Sequence, residues 1–206
     1  MDPAACVIAY ALPTSEQEFG EKSRAGSDYV SAFAGGWPQY RATCDLMRLS
    51  IDTCRRHRAT VLERLTAAQL DSLFLFDTVI LFAHSVDQDV CSGARSSPGG
   101  IELWDRYVGD SEMVAAVPEG YQGTIDLCAC HPIALVQALK AQRRSASVKY
   151  EPNLLLPGIW AEIYATVFRF ATEPTFADMP YVELLETVVT EYRRQADSKD
   201  CVRFHR

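Results

Sequence analysis

The sequence predicts an α/β fold in which a largely parallel sheet lies between helices. Two runs are apolar and β-prone. Residues 78–83 are continuous rather than alternating, as expected of a central strand buried on both faces, and residues 124–129 are short and indicate a buried strand. Helical patterns separate and follow these runs, and strands that alternate with helices are typical of this fold class. A chain of 206 residues suits one domain with a sizeable core, so we predict a single domain over residues 1–206.

The first third of the chain predicts one strand and one long helix. Residues 6–12 are apolar and end at Pro13, which predicts the first strand. Residues 16–37 are polar with scattered glycines, so we interpret them as a long loop or a short helix. Apolar residues then recur at intervals of three and four, which predicts an amphipathic helix over residues 39–70.

The later elements alternate between strand and helix. The strand signal that contains the first apolar run extends over residues 74–83, and a loop is expected after it. The remaining predictions are a short hairpin at 101–108, a brief helix at 111–117, a helix at 132–140, a strand at 147–150, and helices at 157–171 and 180–196.

Composition excludes several classes of function. The net charge of −7 argues against general binding to nucleic acid or to anionic membranes. The most apolar window, residues 73–83, is too short to span a bilayer and is interrupted by Asp77. No signal peptide is evident, and seven cysteines are an odd number, so we expect a cytosolic protein with unpaired thiols. No cofactor is predicted.

The stretch 123–132, Gly-Thr-Ile-Asp-Leu-Cys-Ala-Cys-His-Pro, carries the strongest functional signal. Cys130 comes where a buried strand ends, and Pro132 fits the first turn of the helix that follows. N–H groups and the positive end of a helix dipole favour a thiolate at such a place, and the thiolate is the nucleophile. His84 ends the other central strand and is the best candidate for a base. Taken singly, either residue is more often structural, but their joint placement favours a catalytic pair.

Two segments also resemble a known family. They are residues 82–85, Phe-Ala-His-Ser, and residues 127–131, Leu-Cys-Ala-Cys-His. A histidine upstream of an Ala-Cys pair is similar to the caspase-like (clan CD) cysteine peptidases, above all the bacterial CHAT branch. The hairpin at 100–104 and the aromatic helices after residue 157 resemble the same branch. The likeness covers about residues 70–195, whereas residues 1–70 match loosely, without a clear second strand before His84.

The resemblance implies a fold and a mechanism. The fold would be a caspase-like three-layer sandwich. Cys130 would attack a peptide carbonyl, and His84 would protonate the leaving amine. Backbone N–H groups of Ser85 and Cys130 would form the oxyanion hole. Such domains often serve bacterial conflict or defence systems and are gated by partners, which implies a protein substrate and a separate regulatory or sensor subunit.

Two neighbours of Cys130 have open roles. Cys128 is a rival nucleophile, although strand alternation places both cysteines on one face with Cys130 nearer the carboxyl end. Asp126 forms an Asp-x-Cys pattern with Cys128, which resembles clan members whose aspartate lines a pocket for a basic side chain. A strand aspartate satisfied by backbone or solvent is an equal alternative.

Two other classes of function compete with the peptidase. Cys128, Cys130 and His131, with Cys201 or His205 as a further ligand, could bind Zn²⁺, although Cys-x-Cys is tighter than the usual ligand spacing.

The other class is a degenerate CHAT domain that only binds a partner. Ser85, which stands where the family has glycine, and the unusual His131–Pro132 pair favour it. Residues 13–37 and the helix at 157–171 would then be docking surfaces.

Overall fold

A computed structural model of the chain describes residues 1–86, 99–130, 132–150 and 157–197. The strands are β1 (Cys6–Tyr10), β2 (Thr60–Glu63), β3 (Thr78–Phe82), β4 (His84–Val86), β5 (Gly100–Glu102), β6 (Tyr107–Gly109), β7 (Thr124–Cys128) and β8 (Ser147–Tyr150). The helices are α1 (Glu16–Arg24), α2 (Asp28–Ser31), α3 (Trp37–Arg56), α4 (Leu70–Leu73), α5 (Asp110–Ala116), α6 (Ile133–Gln142), α7 (Pro157–Ala171) and α8 (Tyr181–Asp197). None of these helices is long and apolar enough to cross a membrane.

Five parallel strands form the central sheet, in the order β2-β1-β3-β7-β8. A smaller antiparallel sheet, β4-β5-β6, continues from the carboxyl end of β3. Each of the two central strands predicted from an apolar run has a parallel neighbour on both sides. The predicted α/β class with a largely parallel sheet is confirmed.

Side-chain alternation divides the core between two layers of helices. One set of strand residues packs under α1, α2, α3, α7 and α8, and we call this side of the sheet the α3 face: Cys6, Ile8, Tyr10, Ile80, Phe82 and Cys128. The intervening residues pack on the other side against α4, α5, α6 and the small sheet: Val7, Ala9, Val79, Leu81, Ile125 and Leu127. The architecture is therefore a three-layer sandwich.

The predicted helix over residues 39–70 is wrong beyond Arg56. Arg58 has a φ of 71°, in the left-handed region that ends a helix. Thr60–Glu63 then forms β2, with Val61 beside Ile8 in the parallel register with β1. The β-branched residues of this segment gain a ladder with β1, and that pairing overrides the helical spacing of the apolar residues.

Residues 16–37 are more ordered in secondary structure than predicted. They form α1 and α2, each of which begins at a serine cap: the side chain of Ser15 accepts from the N–H of Glu18, and that of Ser27 accepts from the N–H of Val30. The predicted strand over residues 74–83 begins only at Thr78, because α4 and the turn after it occupy the residues before it. Most of the loop expected after residue 86 lies outside the described residues.

Candidate active site

The register between β3 and β7 brings the two predicted site segments together. Phe82 pairs with Cys128, and the N–H of Ala83 donates to the carbonyl of Cys128 at 3.2 Å. His84 and Cys130 follow these two partners by the same number of residues. Adjacent strands lie about 4.8 Å apart. The ends of β3 and β7, which precede His84 and Cys130, thus lie side by side at the carboxyl edge of the sheet, where α/β proteins form their sites.

Both residues also lie toward the α3 face. Phe82 and Cys128 pack on that face, and Cys130 packs, partly buried, against the same cluster. The ring of His84 lies 5.6 Å, centroid to centroid, from the ring of Tyr29, which belongs to that cluster. His84 and Cys130 are each half-buried rather than enclosed. The two residues therefore lie on the same side of the sheet.

The surroundings of His84 keep its imidazole neutral. Burial lowers the pKa of His84 by more than the carboxylates of Glu102 and Asp28 raise it. Its Nδ1 is buried and has no hydrogen-bond partner among the described residues. A neutral imidazole can accept a proton from a thiol and pass it on, which is what a general base and acid must do.

A buried ion pair holds the α1–α2 segment over the histidine. The ammonium of Lys22 lies 2.9 Å from Glu102 Oε1 and donates to the carbonyl of Leu103 at 2.7 Å. The N–H of Tyr29 donates to Glu102 Oε2 at 3.4 Å. Burial opposes ionisation of Glu102, but hydrogen bonds from Ser27 and Lys22 and the charge of Lys22 outweigh it and lower its pKa. The segment predicted as a loop is thereby fixed beside the site.

Ser85 turns its side chain into the protein. It lies beside Ile101 in the β4–β5 pair and is 8% exposed. Its Oγ is buried without a hydrogen-bond partner in the part of the chain that the structure describes. The oxyanion hole formed by the N–H groups of Ser85 and Cys130 stays a prediction.

The rival nucleophile, Cys128, lies deeper than Cys130. Its Sγ donates to the hydroxyl of Tyr164 at 3.0 Å, and the residue is 2% exposed. Burial raises the pKa of Cys128 well above its ordinary value, and the carboxyl group of Asp126 raises it further. A protonated, enclosed thiol is a poor nucleophile, so the geometry favours Cys130.

Asp126 belongs to the same buried polar cluster. Its Oδ2 accepts a hydrogen bond of 2.6 Å from the hydroxyl of Tyr181. Burial raises the pKa of Asp126, although hydrogen bonds from Tyr181 and Tyr164 and the charge of Lys149 oppose this effect. The carboxyl group is satisfied by side-chain hydroxyls, whereas the structural alternative expected backbone or solvent, and it does not stand exposed as an anion.

Asp126 and Cys128 nevertheless line a cavity of about 400 Å³. It lies between β7 and β8 on one side and α7 and α8 on the other, with Trp160 and Tyr164 on its walls and Lys149, Glu186 and Arg193 among its polar residues. Cys130 follows the end of β7 by two residues and is not itself in the lining of this cavity. A larger cavity, about 640 Å³, lies at the opposite, amino edge of the sheet and is lined by residues such as Asp77 and Thr124.

The predicted metal set is only partly described. His131, Cys201 and His205 lie outside the described residues. Within the ranges that the structure describes, no group of three or more His, Cys, Asp or Glu side chains is placed to hold a metal ion. The zinc site over Cys128, Cys130 and His131 stays a prediction.

Sequence reasoning missed three residues of this site. Glu102 pairs with His84 across β4 and β5, Tyr29 lies against the ring of His84, and Lys22 binds Glu102. None of the three belongs to a recognisable motif. Comparisons of the chain with protein-family models, with curated proteins and with solved structures found no match.

Proposed function

We propose that the protein is a cysteine endopeptidase of the caspase-like, CHAT type, with His84 and Cys130 as its catalytic pair. The observation that supports the proposal is the β3–β7 register, which pairs Phe82 with Cys128, the residues two positions before His84 and Cys130. The neutral imidazole of His84 supports it further, because it can take the thiol proton.

The chemistry needs only these groups and water. Cys130 Sγ attacks the peptide carbonyl carbon while its proton passes to His84, and the carbonyl electron pair moves to the oxygen. The oxyanion collapses, the C–N bond breaks, and His84 gives its proton to the leaving amine. Water then hydrolyses the thioester and restores the thiol. Backbone N–H groups of Ser85 and Cys130 would stabilise the oxyanion, and such donors contribute about 3 kcal/mol each in other enzymes.

Substrate selection would use the cavity beside β7. Asp126 lies in its lining, but its raised pKa and its bond from Tyr181 make it a poor partner for a basic side chain. The ammonium of Lys149 lies 3.3 Å from the carboxylate of Glu186, Arg193 adds a positive charge, and Trp160 adds an aromatic wall. We therefore place selection in the shape and hydrogen-bonding groups of this cavity rather than in the charge of Asp126.

A regulatory protein subunit and a cytosolic role in bacterial conflict or defence complete the proposal. Their support is the family resemblance alone, which is an argument by analogy.

The test is Cys130-dependent cleavage of peptides. Wild-type protein and the Cys130→Ala variant are incubated with a proteome-derived peptide mixture, with and without a lysate of the cells that encode the protein, and new termini are read by mass spectrometry. We expect cleavages that disappear in Cys130→Ala and in His84→Ala but persist in the control Cys44→Ala, whose buried thiol is outside the lining of the cavity beside β7. Identical termini in wild type and Cys130→Ala under both conditions would contradict the proposal.

The second candidate is a partner-binding domain without catalysis. The buried Oγ of Ser85, at the position after His84, favours it, because the resemblance implies glycine there. In that case none of the new peptide termini depends on Cys130, and Cys130→Ala leaves partner binding unchanged.

A further inference from the structure

The cavity beside β7 has walls suited to an apolar molecule. Its volume of about 400 Å³ is within the range of about 300–1,000 Å³ that is usual for sites of small organic ligands. Trp160 and Tyr164 form an aromatic wall, with ring centroids 5.8 Å apart. Leu185 and Val189 of α8 add aliphatic surface. The cavity can therefore hold a small aromatic or aliphatic body.

The buried polar groups of this cavity are engaged within the protein. Cys128 Sγ donates to the hydroxyl of Tyr164 at 3.0 Å, and Asp126 Oδ2 accepts from the hydroxyl of Tyr181 at 2.6 Å. Burial also raises the pKa of Asp126, which disfavours its anionic form. Recognition of a charged ligand is thus left to the less buried residues of the lining.

Positive charge prevails among those less buried residues. The ammonium of Lys149 lies 3.3 Å from the carboxylate of Glu186, so these two charges offset each other. Arg193 is exposed and lines the cavity, and it forms no ion pair within the described part of the chain. Lys140 adds a further positive charge, because its ammonium lies 5.5 Å from the ring centroid of Tyr150, which also lines the cavity. This local excess contrasts with the net charge of −7 of the whole chain.

Helix α8 directs Arg193 toward the same cavity as its apolar neighbours. Glu186, Val189, Thr190 and Arg193 all line the cavity and recur at intervals of three or four residues, which places them on one side of the helix. A guanidinium group binds a carboxylate through two parallel N–H···O bonds. An unpaired guanidinium beside apolar walls therefore favours a ligand that has both a carboxylate and an apolar body.

We propose that the cavity beside β7 binds a small organic carboxylate, with its apolar body against Trp160 and Tyr164 and its carboxylate on Arg193. This inference goes beyond the proposed peptidase function and does not depend on it, because Cys130 is not in the lining. The same chemistry is present in a free acid and at the C-terminus of a peptide, and the test separates these two sources.

The test titrates the full chain with two acids and with the neutral amide of each, and dissociation constants are measured by ligand-observed NMR. Hydrocinnamate represents a free acid, and N-acetylphenylalanine represents the C-terminus of a peptide. Hydrocinnamamide and N-acetylphenylalaninamide keep the same bodies and lack the charge.

The variant Arg193→Met removes the guanidinium group and keeps an apolar stem. Arg194→Met is the matched control, because Arg194 is the next residue of α8, lies 2.8 Å from the carboxylate of Glu191 and is outside the lining. Both arginines are exposed, so both variants should fold as the wild type does.

We expect at least one of the acids to bind wild type about ten-fold or more tightly than its amide. Arg193→Met should remove this difference, and Arg194→Met should keep it. Tighter binding of hydrocinnamate would assign the site to free acids, and tighter binding of N-acetylphenylalanine would assign it to peptide C-termini.

Three results would overturn the inference: equal binding of each acid and its amide, no binding of either acid, or a preference for the acid that survives in Arg193→Met. None of these measurements involves Cys130. Cys130-dependent cleavage is measured separately, so either proposal can fail while the other stands.

Discussion

Glu102 lies directly opposite His84 in the antiparallel pair of β4 and β5, and its carboxylate binds the buried ammonium of Lys22 at 2.9 Å. Lys22 belongs to α1, and the N–H of Tyr29 at α2 reaches the same carboxylate. One acidic side chain therefore anchors both the strand that carries the histidine and the helical segment that covers it. This shared anchor makes the stability of the fold and the geometry of the candidate site depend on each other.

Breaking the anchor should destabilise the protein. The side chains of Lys22 and Glu102 are 8% and 15% exposed, so Lys22→Met leaves a largely buried carboxylate without its counter-ion. We expect a loss of about 3 kcal/mol in the free energy of unfolding, measured with urea. The surface pair of Arg41 and Asp45 is the control, and Arg41→Met should cost no more than about 0.5 kcal/mol. A loss no larger than that of the control would mean that the pair is not an anchor.

The carboxylate of Glu102 should also make the free energy of unfolding depend on pH. Because the pKa of Glu102 is lower in the folded state, its stabilising effect is complete above the ordinary glutamate pKa of about 4.3 and is lost as the pH falls through the folded-state pKa. The free energies of unfolding of wild type and Glu102→Gln, measured with urea, should therefore converge as the medium is acidified. A constant difference in free energy of unfolding between the two proteins across the acid range would show that the carboxylate of Glu102 does not stabilise the fold.

Asp126 should make the free energy of unfolding depend on pH in the opposite direction. Its pKa is raised by burial, so the unfolded chain releases the proton first and stability falls as the pH rises from about 4 through the folded-state pKa. Asp126→Asn keeps a carbonyl oxygen to accept from Tyr181 and removes the titration. The stability of the variant relative to wild type should rise with pH over that window. A constant difference would show that Asp126 does not titrate abnormally.

Alkylation should distinguish Cys128, the last residue of β7, from Cys130, which follows the strand. Cys130 is half-buried, whereas Cys128 is enclosed and bonded to Tyr164. Native protein treated with iodoacetamide should carry the label on Cys130 and none on Cys128, as read from the peptides by mass spectrometry. Urea should make both react. Labelling of Cys128 in the native state at the rate of Cys130 would reverse the choice of nucleophile.

The pH at which the rate of Cys130-dependent cleavage falls on the acid side should report on the pKa of His84. Burial lowers the pKa of His84, so the neutral form of the pair should persist below the ordinary histidine value of about 6.5. Asp28 is exposed, and its carboxylate raises the pKa of His84. Asp28→Asn should therefore move the limb to lower pH while the plateau stays unchanged. A shift to higher pH would contradict this electrostatic picture.

The central strands were predictable because they are buried on both faces of the sheet. The last helices were predictable because their apolar residues recur at helical spacing. Helices cover both sides of the sheet, which accounts for the continuous apolar run at 78–83 and the largely apolar run at 124–129. Helix α7 has the bounds that its periodicity predicted. β2 escaped prediction because it is an edge strand whose four residues are all half-buried. Its apolar residues also fit the spacing of the preceding helix.

The surroundings of His84 could not be read in the same way. Lys22 and Glu102 are 80 positions apart, and no local pattern announces their contact. Helix α1 did carry a signal, since Ser15 followed three residues later by Glu18 is a helix-start pattern. The position of Tyr29 over His84, however, exists only once α1, α2 and the β4–β5 pair have assembled.

The most direct test asks whether the side chains at positions 84 and 130 meet. A disulfide forms only between cysteines whose Cα atoms lie within about 7 Å, so the variant His84→Cys converts proximity into a covalent bond. Under mild oxidation the account predicts that the folded variant links position 84 to Cys130, detected as a reducible cross-linked peptide by mass spectrometry. A folded variant that forms no such link, or that links position 84 to a different cysteine, would contradict the pairing of His84 with Cys130.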